Sequence, residues 1–150
     1  MCSIAAPNTA SGIRALVAVA DGMGGHQGGE VASNLAIEGL VEHLGKNSDV
    51  DLLGSERSET LAGIIHQIHE HVRSRSNTPE TMGMGTTLSI AVIGDENVLI
   101  GHVGDSRIYR ARDGNLTQLT EDHSWVAEEV RRGNLTPEQA EDHPRRNLIT

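Results

Sequence analysis

An α+β domain is what this sequence predicts, and three features of its hydropathy carry that prediction. An unbroken apolar run of strand length, residues 14–20, lies between Gly12 and Gly22, the pattern of a strand buried on both faces. Two successive segments then repeat apolar residues at helical spacing. Beyond about residue 86 the period changes to the alternation of an antiparallel meander, and short helical stretches close the chain. The 150 residues suffice for at most one domain. Such a chain buries roughly 70% of its unfolded surface. With no Phe, one Tyr and one Trp, that core must be built from Leu, Ile, Val and Ala.

Each element has a local cause. In the first helix, expected over 29–44, Val31, Leu35, Leu40 and Leu44 keep helical spacing beside Ala32, Ala36 and Ile37, and Gly45 offers a stop. Residues 46–56 are polar and read as a loop. The second helix, over 58–75, sets Leu61, Ile64, Ile65, Ile68 and Val72 on one face and ends at Asn77-Thr78-Pro79. Residues 86–93 alternate and are rich in β-branched side chains, 94–97 form a turn, and 98–103 return. Strands over 106–110 and 116–119 flank Asp113-Gly114-Asn115, whose Asp-Gly step is a strong hairpin signal. Residues 124–132 and 137–141 read as helices capped by Ser124 and Thr136, with Pro137 in a first turn.

Composition narrows the function. The net charge is −9, and cations occur in nothing larger than pairs such as Arg131-Arg132 and Arg145-Arg146. Nucleic acid is therefore excluded as an expected partner, because its binding rests on neutralising phosphates. An acidic balance suits a site that gathers divalent cations. The single Cys2 forms no internal disulfide and is expected at a mobile terminus, a poor place for a nucleophile. No apolar run reaches the ~20 residues of a membrane span, and residues 1–11 lack the features of a signal peptide. A soluble, cytoplasmic protein without a membrane partner is the expectation.

The chemistry concentrates at two strand ends. The run Ala18-Val19-Ala20-Asp21-Gly22-Met23-Gly24-Gly25-His26 ends a strand on a carboxylate followed by a glycine-rich bend. His102-Val103-Gly104-Asp105-Ser106-Arg107 ends another in the same way. Two strand-end aspartates read as parts of a site for a hard cation, which takes carboxylate, carbonyl and water oxygens. Taken singly, each motif also has a plain structural reading as a tight bend. The first bend is not a P-loop, since no Gly-Lys-Ser/Thr follows, and Gln27 stands where a dinucleotide fingerprint needs its third glycine. A nucleotide-binding domain therefore ranks last. His66 and His69 stand three apart, but the isoleucines define the buried face of that helix, so solvated histidines are the simpler reading than a zinc site. His123 reads as orienting a loop, since no catalytic triad spacing accompanies it.

The combination is more specific. Ala20-Asp21-Gly22-Met23-Gly24-Gly25-His26, Gly28-Gly29-Glu30-Val31-Ala32-Ser33, Met84-Gly85-Thr86-Thr87, His102-Val103-Gly104-Asp105-Ser106-Arg107-Ile108-Tyr109-Arg110 and Leu119-Thr120-Glu121-Asp122-His123-Ser124 occur in that order. Together they closely resemble the bacterial branch of the metal-dependent PPM (type 2C) serine/threonine protein phosphatases, from about residue 14 to the end. The resemblance implies a four-layer α-β-β-α sandwich of two antiparallel sheets, incomplete in this chain, and one partial phosphatase domain over residues 1–150. It implies hydrolysis of phosphoserine and phosphothreonine in proteins by a metal-activated water, with two Mn²⁺ or Mg²⁺ ions and room for a third. The partners would be phosphorylated proteins made by a Ser/Thr kinase.

By the same resemblance, Asp21 would be the carboxylate bridging both ions and Gly22 would add its carbonyl. Asp105 would serve the third, weaker position. Thr86 and Thr87 would support the site from a core strand, and Asp122 and His123 from a loop. The stretch 131–150 matches the flap beside the substrate. The family also begins with an additional strand bearing an arginine and an Asn-x-Asp segment, whereas residues 1–13 contain no Asp, Glu or Arg. It continues to two further aspartates on later strands, of which this chain carries neither. Asp21 and Asp105 are thus its share of the family's metal carboxylates. The expectation is a family core truncated at both ends, with catalysis by these residues alone in doubt. The alternative is a catalytically dead module of the same fold that binds phosphoproteins or a kinase.

Overall fold

The computed structural model describes residues 2–5, 12–46, 52 and 54–150. In chain order the elements are β1 (Cys2–Ala5), β2 (Ala15–Val19), β3 (Gly22–Met23), α1 (Gly25–Lys46), α2 (Arg57–Ser74), β4 (Gly85–Thr86), β5 (Leu88–Ile93), β6 (Val98–Val103), β7 (Tyr109–Arg112), β8 (Asn115–Gln118), α3 (Trp125–Arg131) and α4 (Pro137–Glu141). They fall into two compact units, Met1–His102 and Val103–Thr150.

The first unit is built on a four-stranded sheet in the order β1-β2-β5-β6. β2 pairs antiparallel with β1, Cys2 opposite Val19, and with β5, Ala15 opposite Ile93. Side chains alternate across a strand, so Leu16 and Ala18 of β2 share a face with Leu88, Ile90 and Val92 of β5. That face is buried with Ala32, Ala36, Ile37 and Leu40 of α1 and Leu61, Ile64, Ile68 and Val72 of α2 in one core cluster. Alanines on β2 and α1 let the helix lie close to the sheet. Burying each branched aliphatic side chain contributes about 1.5–3 kcal/mol. Aliphatic residues do fill this core, as the lack of phenylalanine requires. β3 and β4 form a separate two-stranded ladder, Gly22 opposite Thr86 and Met23 opposite Gly85.

Three local expectations change. A strand, β1, lies ahead of the one expected at 14–20, and the terminus expected to be mobile at Cys2 is part of it, because the edge of β2 offers backbone partners. The first helix starts at Gly25 rather than Gly29 and runs through Gly45 to Lys46. Glycine is a poor helix former, but here tertiary packing of the helix start outweighs propensity. Of the loop expected over 46–56, residues 47–51 and 53 lie outside the described residues.

In the second unit β7 and β8 form a hairpin, Arg112 opposite Asn115. Its two turn residues, Asp113 and Gly114, take φ of 52° and 76°, both positive as a tight two-residue hairpin turn demands. The hairpin sits further along the chain than expected over 106–110. Residues 104–108 are drawn instead to the loop at 120–123: the Ile108 N–H donates to Thr120 Oγ1 at 3.0 Å. Ser124 caps α3, accepting from the Ala127 N–H at 3.3 Å. Thr136 and Gln139 form a reciprocal capping box on α4, with Pro137 in its first turn. The last residues return beside the start of α3, the Trp125 N–H donating to the Leu148 carbonyl at 2.8 Å.

Candidate metal centre

Asp21 is separated from the end of β2 by Ala20 alone, and its backbone is fixed from both sides by one residue. The Asp21 N–H donates to Thr87 Oγ1 at 3.0 Å, and the Thr87 N–H donates to the Asp21 carbonyl at 2.9 Å. Thr87 is 3% exposed and stands between β4 and β5, so the residue that breaks the strand is the one that grips Asp21. Thr86, half-buried, pairs with Gly22 and donates its hydroxyl to the Thr87 carbonyl at 2.9 Å. With its backbone satisfied in this way, Asp21 leaves its side chain exposed. The first unit thus brings together Asp21, Gly22, Thr86 and Thr87; Asp105, Asp122 and His123, the other residues that the resemblance implied, belong to the second unit.

The glycines around Asp21 have a steric cause. A Cβ on Gly22 would lie 1.8 Å from the Gly29 carbonyl oxygen, so β3 runs backbone against backbone with the opening of α1. Gly24 holds φ at 109°, and a Cβ there would meet the Met84 Cα at 2.9 Å. No side chain fits between these segments.

In the second unit the turn bearing Asp105 is held in a comparable manner. The Gly104 N–H donates to His123 Nδ1 at 3.2 Å, and the His123 N–H donates to the Gly104 carbonyl at 2.9 Å. Gly104 takes φ of 103°, which favours glycine there. Asp105 itself is exposed. Arg107, two residues on, remains exposed but is not free: its guanidinium clasps Asp122 through Nε at 2.8 and 3.1 Å and Nη2 at 2.6 Å. Two parallel bonds of this kind suit the planar fork of arginine. Hydrogen bonds first to Asp122 and then to Tyr109 raise the Arg107 pKa above its ordinary value. Asp122 and His123 therefore hold the two ends of the segment Gly104–Arg107. A groove of about 670 Å³ opens beside them, with Asp105, Arg107, Asp122, Val126, Val130 and Arg146 among its lining.

Among the described residues no three His, Cys, Asp or Glu side chains converge as a metal cluster. This includes His66 and His69 of α2, whose rings lie 6.4 Å apart. The donors that the chain does place at the Asp21 bend are the exposed Asp21 carboxylate and the backbone carbonyl of Gly22, which packs against the opening of α1. Both are hard oxygens, and they fit Mn²⁺ or Mg²⁺ as two ligands of a larger set.

Residues 5–150 match the family model described as protein phosphatase 2C. The chain belongs to the protein phosphatase 2C family. It is 40% identical over 135 residues to the serine/threonine phosphatase stp of Listeria monocytogenes, covering 89% of this chain and 53% of that protein. The serine/threonine phosphatase of S. agalactiae superposes with a TM-score of 0.83 at 37% identity, covering 91% of this chain and 55% of that one. The catalytic domain of the serine/threonine protein phosphatase PstP, solved in complex with two manganese ions, gives a TM-score of 0.74 at 36% identity, covering 99% and 57%. These neighbours bear out the α+β class and the phosphatase sandwich expected from the motifs. The chain spans about half the length of such relatives.

Proposed function

We propose that this chain is part of a metal-dependent serine/threonine protein phosphatase, a single partial domain whose share of the active site is the Asp21 bend. The observation that carries the reading is the pair of bonds by which Thr87 fixes the backbone of Asp21, whose carboxylate is exposed just beyond β2. Asp21 and the Gly22 carbonyl are the proposed ligands, with Asp105 serving a further ion. Two Mn²⁺ or Mg²⁺ ions are the proposed cofactors, as in the PstP complex with manganese. Divalent ions there would supply an activated water and offset charge on the phosphoryl oxygens.

The chain's own residues position and hold. Thr86 and Thr87 fix the Asp21 bend, while Asp122 and His123 fix the turn of Asp105. The proposed substrates are phosphoserine and phosphothreonine proteins made by a Ser/Thr kinase, in the cytoplasm. The net charge of −9 speaks against a nucleic-acid partner. Among the described residues no helix is long and apolar enough to cross a membrane, so no membrane partner is proposed.

The test is hydrolysis of p-nitrophenyl phosphate and of a phosphothreonine peptide with and without Mn²⁺. The expected result is a Met23 amide resonance that responds to Mn²⁺ and no longer does so in Asp21→Ala, with any turnover requiring Mn²⁺ and lost in the same variant. A folded chain that turns over neither compound, and whose Met23 amide resonance is untouched by Mn²⁺, overturns the reading.

A further inference from the structure

From the contact between β3 and α1, we infer that Gly29 is a positioning residue: its missing side chain sets where the Gly22 carbonyl lies. The inference rests on the metal-ligand reading of Gly22 above. The two backbones meet with nothing between them. A Cβ on Gly29 would lie 2.7 Å from the Gly22 oxygen and 2.8 Å from its carbonyl carbon, and 3.1 Å from the Met23 nitrogen. Atoms at such distances are in steric overlap, and neither side of this contact is a flexible side-chain end that can swing away. Adding one methyl must therefore displace backbone.

The displacement falls on β3. Gly29 is buried inside a helix of 22 residues that is anchored in the core through Ala32 and Ala36. β3 has two residues and a single partner strand of equal length. The shorter, less anchored element yields, and with it moves the carbonyl of Gly22. Ligand geometry tolerates little of this, since a metal oxygen distance defines the site to within a few tenths of an ångström. Gly28, its neighbour, is the internal contrast. A Cβ there would meet the Glu80 carbonyl oxygen at 3.2 Å and the Met84 Cβ at 3.3 Å, on the other flank of the helix and away from the Gly22 carbonyl.

The experiment follows backbone amide resonances of the ¹⁵N-labelled chain during titration with Mn²⁺. In the wild type the Met23 and Thr86 amides broaden. In Gly29→Ala the midpoint of that broadening moves to at least about tenfold higher Mn²⁺, whereas in Gly28→Ala it stays within about twofold. Gly29→Ala titrating like the wild type overturns this inference and leaves the metal reading standing. A wild type without broadening overturns the metal reading and the inference with it. Should Gly29→Ala lose its dispersed spectrum, hydrogen exchange of the wild type in Mg²⁺ decides. Because coupling is reciprocal, the Glu30 and Val31 amides must slow with the same Mg²⁺ midpoint as Met23, and unchanged exchange at both overturns the inference.

Discussion

Thr87 shows how much a single side chain settles in this protein. From the sequence it is one of a pair of threonines opening a β-branched run. In the structure its hydroxyl is the acceptor for the Asp21 N–H. Thr87→Val keeps the shape and removes the acceptor, so a part-buried donor loses its partner. The expected loss is about 1–3 kcal/mol in urea unfolding, with Thr87→Ser recovering most of it. Glu129 gives a prediction in pH. Its pKa lies below the ordinary 4.5, first through its hydrogen bond from Asn134 and also through Arg132. A carboxyl depressed on folding adds stability that is present above about pH 4.5 and is lost as pH falls through the folded value. The end of α3 is therefore expected to loosen below that pH, read from the Asn134 side-chain amide resonance, and Glu129→Gln should remove the acid dependence. Arg107 has the opposite sign. Its raised pKa means that the stability from the guanidinium's hydrogen bonds to Asp122 and Tyr109 is present below the ordinary range of arginine and is lost only as pH rises past it.

Among the elements, a helix and a strand of the first unit carry glycines of opposite meaning. Gly63 of α2 has open space where a Cβ would go, so Gly63→Ala should raise stability by about 0.5–1 kcal/mol in urea unfolding. Gly101 of β6 faces Leu61 and Ile65, each of which a Cβ would approach to 2.9 Å. Gly101→Val should overpack that contact and cost about 1–3 kcal/mol in the same measurement. Nothing in the sequence separates these two glycines, because each sits in an apolar periodic segment. The helices and the hairpin turn, by contrast, were legible. α2 follows its isoleucine spacing to within a residue at each end, and Asp113-Gly114 forms the turn its residue types favour. The start of α1 was not legible, because four glycines within 22–28 read as a bend until packing gives them a reason. β3 and β4, two residues each, are too short for any periodicity to register.

Across the whole molecule the apolar core cluster draws its residues from the first unit only. In the second unit Val126 is the buried hydrophobic, and order rests on polar ties such as Arg107 to Asp122 and His123 to Gly104. Every residue of β7 and β8 is exposed. Polar ties near water are worth less than buried aliphatic surface. Amide protons of β7 and β8 should accordingly exchange well before those of β2 and β5, and equal protection in the two sets would contradict this distribution of stability. Within the candidate site the structure pairs Gly22 with Thr86 and bonds Asp21 to Thr87, a neighbourhood that the family resemblance implied and that no local pattern in the sequence states. The Arg107 clasp was missed, since its partner lies fifteen residues away and no local pattern links the two.

Residue order alone determined the class of fold, the aliphatic core, the helix faces, the hairpin turn and the family, because each is written in short-range periodicity or in a run of neighbouring residue types. Tertiary structure alone decided which backbone groups close on which: Thr87 on Asp21, Gly29 against Gly22, His123 on Gly104. Those contacts join residues brought near by packing, where a distance of a few tenths of an ångström decides whether a carbonyl can serve a metal ion, and no one-dimensional pattern carries that distance.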